Sequence, residues 1–241
     1  MSNNKVFTQD EIMKTLDACY QKVLDGIGKI SPPVENMAKD YLEKKPSSSE
    51  AAKSMINAQI VKCTTSGFIT GFGGFITLPI SVPANVGSVL YVQMRMIACT
   101  AYMAGYDLKS DQVQTLVYAC LAGVAVNEIL KKTGIKFGEK IAVNLIKKIP
   151  GSVLTKINQK VGFRFITKFG EKGLINLGKL IPGVGAVISG SLDLVETKLI
   201  GARAYKWFFE GDFSAKDSVQ DDPTGDDINF ENVIDVECKE D

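Results

Sequence analysis

Apolar residues at Ile12, Leu16, Cys19, Tyr20, Val23, Leu24 and Ile27 recur every three or four positions, the spacing of one helix face. Thr8 and Glu11 precede them as a Thr-x-x-Glu capping box, and the "SPP" at 31–33 ends the run. Pro33 suits the first turn of a short helix through Tyr41. Ser47 and Glu50 offer a second capping box, opening a helix expected to reach about Leu78. Pro79 and Pro83 interrupt the chain, and the next pattern predicts a helix from Ala84 to Ala104, closed by Gly105. Ser110 or Asp111 caps another, with Val113, Leu116, Val117, Cys120, Leu121 and Val124 on one face. Further helical patterns cover about 136–149, 152–170 and 183–209. No pair of alternating runs flanks a hairpin dipeptide, so the fold class is all-α, a single domain of about eight helices over residues 1–209.

Within this pattern the stretch "GFITGFGGFITLPISVP" (67–83) is unusual, and between Lys62 and Arg95 the chain carries 32 uncharged residues. Neither leg suits a bilayer. Residues 63–78 would span about 24 Å as a helix, short of a hydrocarbon core of about 30 Å. The second leg places Arg95 near its middle, at a cost of roughly 2.5–3.5 kcal/mol that its few Val, Ile and Leu residues only offset. Gly67, Gly71 and Gly74 instead share one face at i, i+4, i+7 spacing, which lets a second helix approach closely. The small-residue run "IPGVGAVISGSLDL" (181–194), with Gly183, Gly185 and Gly190, is the natural partner for this Gly-rich helical hairpin.

Taken together, "GFGGFITLPISVPAN…MRMIACTAYMAGYDL" and "GLINLGKLIPGVGAVISGSLDLVETKLIGARAYKWF" about 75 residues later resemble the EcsC family of bacterial proteins. The likeness extends over about residues 10–210. It implies an all-helical, cytoplasmic or membrane-associated protein, and it brings no established activity and no catalytic residues.

Composition narrows the chemistry. The chain contains no histidine, which removes Ser-His-Asp and Cys-His nucleophile systems and histidine-ligated metals. Its five cysteines are scattered without a CxxC and sit mostly in apolar contexts, as in a reduced compartment. The opening "MSNNKVFTQDEIMK" has no apolar run of the secretory kind, so a cytoplasmic protein, peripheral on the inner membrane, is expected. No metal, cofactor or catalytic residue is expected. The fragments Gly71-Phe-Gly73 and Gly183-Val-Gly185 lack a preceding strand and a Walker lysine, which argues against nucleotide binding.

The net charge of +1 hides an asymmetry. Residues 210–241 hold 12 acidic side chains against two lysines, and read as a disordered acidic tail able to engage a protein partner. Residues 129–172 hold 11 lysines and arginines against two glutamates. Lys156, Lys160, Arg164, Lys168 and Lys172 repeat every fourth residue, and Ile157, Val161, Phe165 and Phe169 follow one position later. Cationic and apolar stripes side by side are the pattern of an interfacial helix or of an ordinary core helix with solvated lysines. Lys147 and Lys148 extend the belt. An anionic membrane surface is therefore the expected partner. Nucleic acid is not expected, because no nucleic-acid-binding motif accompanies the charge. The tail and the belt are opposite in sign and could also latch onto each other.

Arg95, Asp107, Asp193, Glu196 and Arg203 interrupt or border apolar runs, and are candidates for buried ion pairs or ligand contacts. Pairing of Arg95 with Asp193 or Glu196 is the simplest expectation. The first functional reading is a non-enzymatic helical protein at the cytoplasmic face of a membrane. The alternative is a soluble domain holding a lipid-like apolar ligand, with hydrolase-like chemistry through Asp193 and Glu196.

Overall fold

In the computed structural model, residues 8–64, 84–132, 143–169 and 185–213 are described, and over these the chain is helical with one isolated bridge, Ile27 to Ser31. The capping box at Thr8 and Glu11 forms as the sequence predicts: Thr8 Oγ1 accepts from the Glu11 amide, and the Glu11 carboxylate accepts from the Thr8 amide at 2.9 Å. It opens α1 (Gln9–Asp25). Gly26 then turns the chain at φ 78°, where a Cβ would stand 2.5 Å from the Ser31 carbonyl oxygen, so only glycine fits. Pro33 serves as the N-cap of α2 (Val34–Lys44) rather than as its first helical residue.

Ser47 Oγ accepts from the Glu50 amide and starts α3 (Ser48–Thr64). The expected continuation of this helix to Leu78, with Gly67, Gly71 and Gly74, lies outside the described residues. After it come α4 (Ala84–Met103) and α5 (Asp111–Ala122). Ser110 is the α5 cap, its hydroxyl accepting from the Val113 amide. A short helix that the hydrophobic pattern did not show follows, α6 (Val126–Lys132), with Val126, Ile129 and Leu130 buried. Then come α7 (Val143–Ile146), α8 (Gly151–Phe169) and α9 (Gly185–Glu210).

The centre of the molecule is α4. It packs against α1, α2, α3, α5 and α9, and Tyr91, Met94, Met96, Ile97, Ala98, Cys99 and Ala101 are all fully buried. A helix enclosed on every side needs no polar stripe. That accounts for the end of the uncharged run, up to Met94, without a bilayer; residues 65–83 lie outside the described residues. Among the described residues no helix is long and apolar enough to cross a membrane.

Two groups of helices share this centre. On one side α3 and α9 run in opposite directions, with the Ser49 and Tyr205 hydroxyls 2.7 Å apart. Farther along the pair, Gly201 meets Ile56. On the other side α8 packs on α1, α5 and α6. Gly201 stands where α9 crosses α3 and α4, and a Cβ there would lie 2.7 Å from Ile56 Cγ2 and 3.5 Å from the Met96 side chain. This is a close helix approach at a glycine outside those named in the pattern, whose own packing lies outside the described residues. Gly201→Ala should destabilise the fold by about 1–3 kcal/mol through overpacking, read as a lower urea midpoint with an unchanged slope.

The domain also continues beyond the boundary at 209. Gly211 adopts φ 69°, the Asp212 amide donates to the Lys206 carbonyl, and Phe213 is fully buried against Trp207 at a ring separation of 5.2 Å. The remainder of the acidic tail lies outside the described residues.

Candidate functional site

The cationic helix is α8. Pro150 offers its carbonyl to the Val153 and Leu154 amides and so begins it. Val153, Leu154, Ile157, Val161 and Phe165 all face the core, each under a tenth exposed. The apolar stripe at 157, 161 and 165 therefore packs on α1, α5 and α6, and does not face acyl chains as an interfacial helix would. This corrects the interfacial reading of that stripe. A cross-section through the helix explains it: one face suffices for the core, and α5 and α1 take it.

The face beside it, turned to solvent, carries Lys156, Lys160 and Phe163, at i, i+4 and i+7, all exposed. Phe163 is 66% exposed, the most exposed large apolar side chain among the described residues. No Asp or Glu occurs anywhere in α8. Lys147 and Lys148 are also exposed, in the turn after α7. The sequence pattern missed Phe163 because it falls off the four-residue repeat of apolar positions. The Lys168 side chain and Lys172 lie outside the described residues.

Arg164 has a different task. Its Nη1 donates to the carbonyls of Ala122 at 3.1 Å and Gly123 at 2.6 Å, at the C-terminus of α5. Arg203 comes to the same helix end from α9, donating to the Cys120 carbonyl. Gly123, left-handed at φ 66°, returns its amide to Ala119 and Cys120. The two guanidiniums thus meet the negative end of the α5 dipole, which for Arg203 offsets the cost of burial. Burial pulls the Arg203 pKa below the usual guanidinium value; Cys120 and Glu196 act to raise it, and Arg164 to lower it.

Arg95 is placed otherwise. It is 5% exposed, and its Nη2 donates to the Pro32 carbonyl at 3.1 Å, while its Nε is buried without a partner. Among the described residues, Tyr91, Cys99 and Tyr41 act on it electrostatically, and none is a carboxylate. The expected pairing with Glu196 is not formed; Glu196 is half-buried and acts on Arg203 instead. The surroundings of Asp193 lie outside the described residues, as do Gly183 and the neighbourhoods of Gly185 and Gly190. Asp107 is exposed rather than buried. Its carboxylate accepts from the Lys109 amide at 3.0 Å and its carbonyl from Ser110, which makes it a turn residue leading into α5. A short side chain that bonds the backbone two residues on is a turn former first.

Between α1, α5 and α8 lies a cleft of about 730 Å³. It is lined by Asp17, whose Oδ1 accepts from the Tyr118 hydroxyl at 2.8 Å and from Gln114 at 2.9 Å. Thr115 and Asn158 complete it, 3.5 Å apart. This lining is polar and does not suit an apolar ligand. Among the described residues no group of His, Cys, Asp and Glu could hold a metal ion.

Burial also silences the thiols. Cys19, Cys99 and Cys120 are free and enclosed, and desolvation pushes each up to about 12 from an ordinary 9.0. Above pH 9 the unfolded chain loses these protons while the folded chain keeps them. Stability should therefore fall as pH rises from about 9 toward 12, measured as denaturant midpoints across that range. The same three thiols should stay unreactive to an aromatic disulfide reagent until the chain is unfolded.

Comparison with known proteins adds one finding. No curated protein and no solved structure matches the chain. A family model, that of the EcsC protein family, matches residues 6–208, from just ahead of α1 to the C-terminal turns of α9. That span takes in every described helix, including the central α4 and the cationic α8, and the chain belongs to the EcsC protein family.

Proposed function

We propose that this protein works as a peripheral protein at an anionic membrane surface on the cytoplasmic side, docking through the outer face of α8. The observation that carries the reading is Phe163, 66% exposed in one stripe with Lys156 and Lys160 on a helix without an acidic residue. An aromatic ring held out in water by a rigid helix gains by entering the headgroup layer, while flanking lysines reach phosphates. Lys147 and Lys148 are exposed in the turn just ahead of the same helix. No step of chemistry is assigned to the protein. The alternative, an apolar ligand held between the 67–104 hairpin and the 181–199 helix, falls largely outside the described residues.

The test is cosedimentation of the Phe163→Ala variant with anionic vesicles. Full burial of a phenylalanine is worth about 1.5–3 kcal/mol, so partial insertion should make the variant roughly tenfold weaker. Because the side chain is exposed, thermal stability should be unchanged. Equal binding of wild type and variant would remove Phe163 from the docking surface.

A further inference from the structure

Arg95 is a charge that no carboxylate among the described residues balances. A guanidinium stays protonated at neutral pH, and holding one in a protein interior without a counter-charge costs several kcal/mol. Arg203, of similar burial, meets the carbonyl end of α5 and feels Glu196. Arg95 has one carbonyl, Pro32, with Nε buried and unpartnered, and the neighbour that bears charge is Lys62, a second cation within electrostatic reach.

The carbonyl it holds lies two residues before α2. Pro33, the N-cap of that helix, makes no side-chain capping bond, which leaves first-turn amides of α2 without a side-chain acceptor from the cap, and Glu35 is the acidic residue of that turn. Gly26 and the Ile27–Ser31 bridge fix the loop that presents Pro32, and the buried Ser31 and Tyr91 hydroxyls lock to each other at 2.8 Å. Pro32 itself is exposed, so the rim of this place is open to water. A buried cation, a helix start without a side-chain cap and a spare buried donor are complementary to one kind of group.

We propose that Arg95, with the N-terminus of α2, binds a phosphate group. An orphaned Nε–H and helix amides are the donors such a group takes up. The phosphate could come from free inorganic phosphate or from a lipid headgroup, and the site is separate from the outer face of α8.

The experiment compares melting of wild type and Arg95→Met in inorganic phosphate and in chloride at equal ionic strength. Phosphate at about tenfold its Kd should raise the wild-type Tm by about 3–5 °C and leave Arg95→Met unmoved. If only vesicles containing phosphatidic acid protect, again through Arg95, the headgroup is the source. Equal responses of wild type and Arg95→Met to both probes would overturn the proposal. Should Arg95→Met not fold, Arg95→Lys keeps the charge and loses the Nε donor. It should then broaden the phosphorus resonance of added phosphate at least tenfold less effectively, and wild-type broadening would overturn the site. A Lys156→Glu, Lys160→Glu double variant should keep the full phosphate response, which separates this site from docking by α8.

Discussion

Replacing Trp207 with alanine should remove about 3–5 kcal/mol of folding free energy and lower the Tm by about 10 °C. Trp207 is the single tryptophan and is fully buried. Around it, Phe213 lies at 5.2 Å and Phe208 meets Tyr106 edge-on at 5.1 Å, joining the end of α9 to the turn after α4. Truncation leaves a cavity that this aromatic group cannot collapse to fill. Trp207→Phe gives the sharper comparison. The indole Nε1 is buried without a partner, so phenylalanine discards an unsatisfied donor along with some contact area. Its cost should be about 1–2 kcal/mol, well short of alanine. A Trp207→Ala protein melting within about 2 °C of wild type would mean that the α9 end does not anchor the core.

The second large effect concerns binding. Lys156→Glu with Lys160→Glu should weaken association with anionic vesicles by about 10³-fold at moderate salt. Each lysine near such a surface contributes about 1 kcal/mol, and a glutamate in its place opposes by a similar amount, giving about 4 kcal/mol in all. The paired glutamine substitutions remove only the attraction and should cost about 30-fold. Both lysines are exposed on a helix whose buried face is intact. The Tm of either double variant should therefore match wild type within about 2 °C, which separates lost docking from lost folding.

Much of the helical architecture was legible in the sequence because its punctuation is local. Thr8–Glu11, Ser47, Ser110 and Gly105 act within one turn of their own positions. The short α6 was not legible: Asn127 and Glu128 break its apolar pattern, and seven residues hold too few turns to show a period. The outcome for α8 is more instructive. Periodicity correctly grouped Ile157, Val161 and Phe165 on one face, yet periodicity does not say what lies against a face, and here it is protein. Arg164 looked like one member of a cationic row, whereas its donors go to the carbonyls of Ala122 and Gly123, over 40 residues earlier. Long-range satisfaction of a helix end leaves no mark in a local pattern. For the same reason Arg95 and Arg203 read alike as buried cations, and only their surroundings separate them.

Cosedimentation of the wild-type protein with anionic and with neutral vesicles, across a salt series, is the most direct test of docking through α8. Binding to anionic vesicles that fades steeply with added salt, with little binding to neutral ones, is the predicted result. Equal partition into both kinds of vesicle, or none into either at low salt, would contradict it.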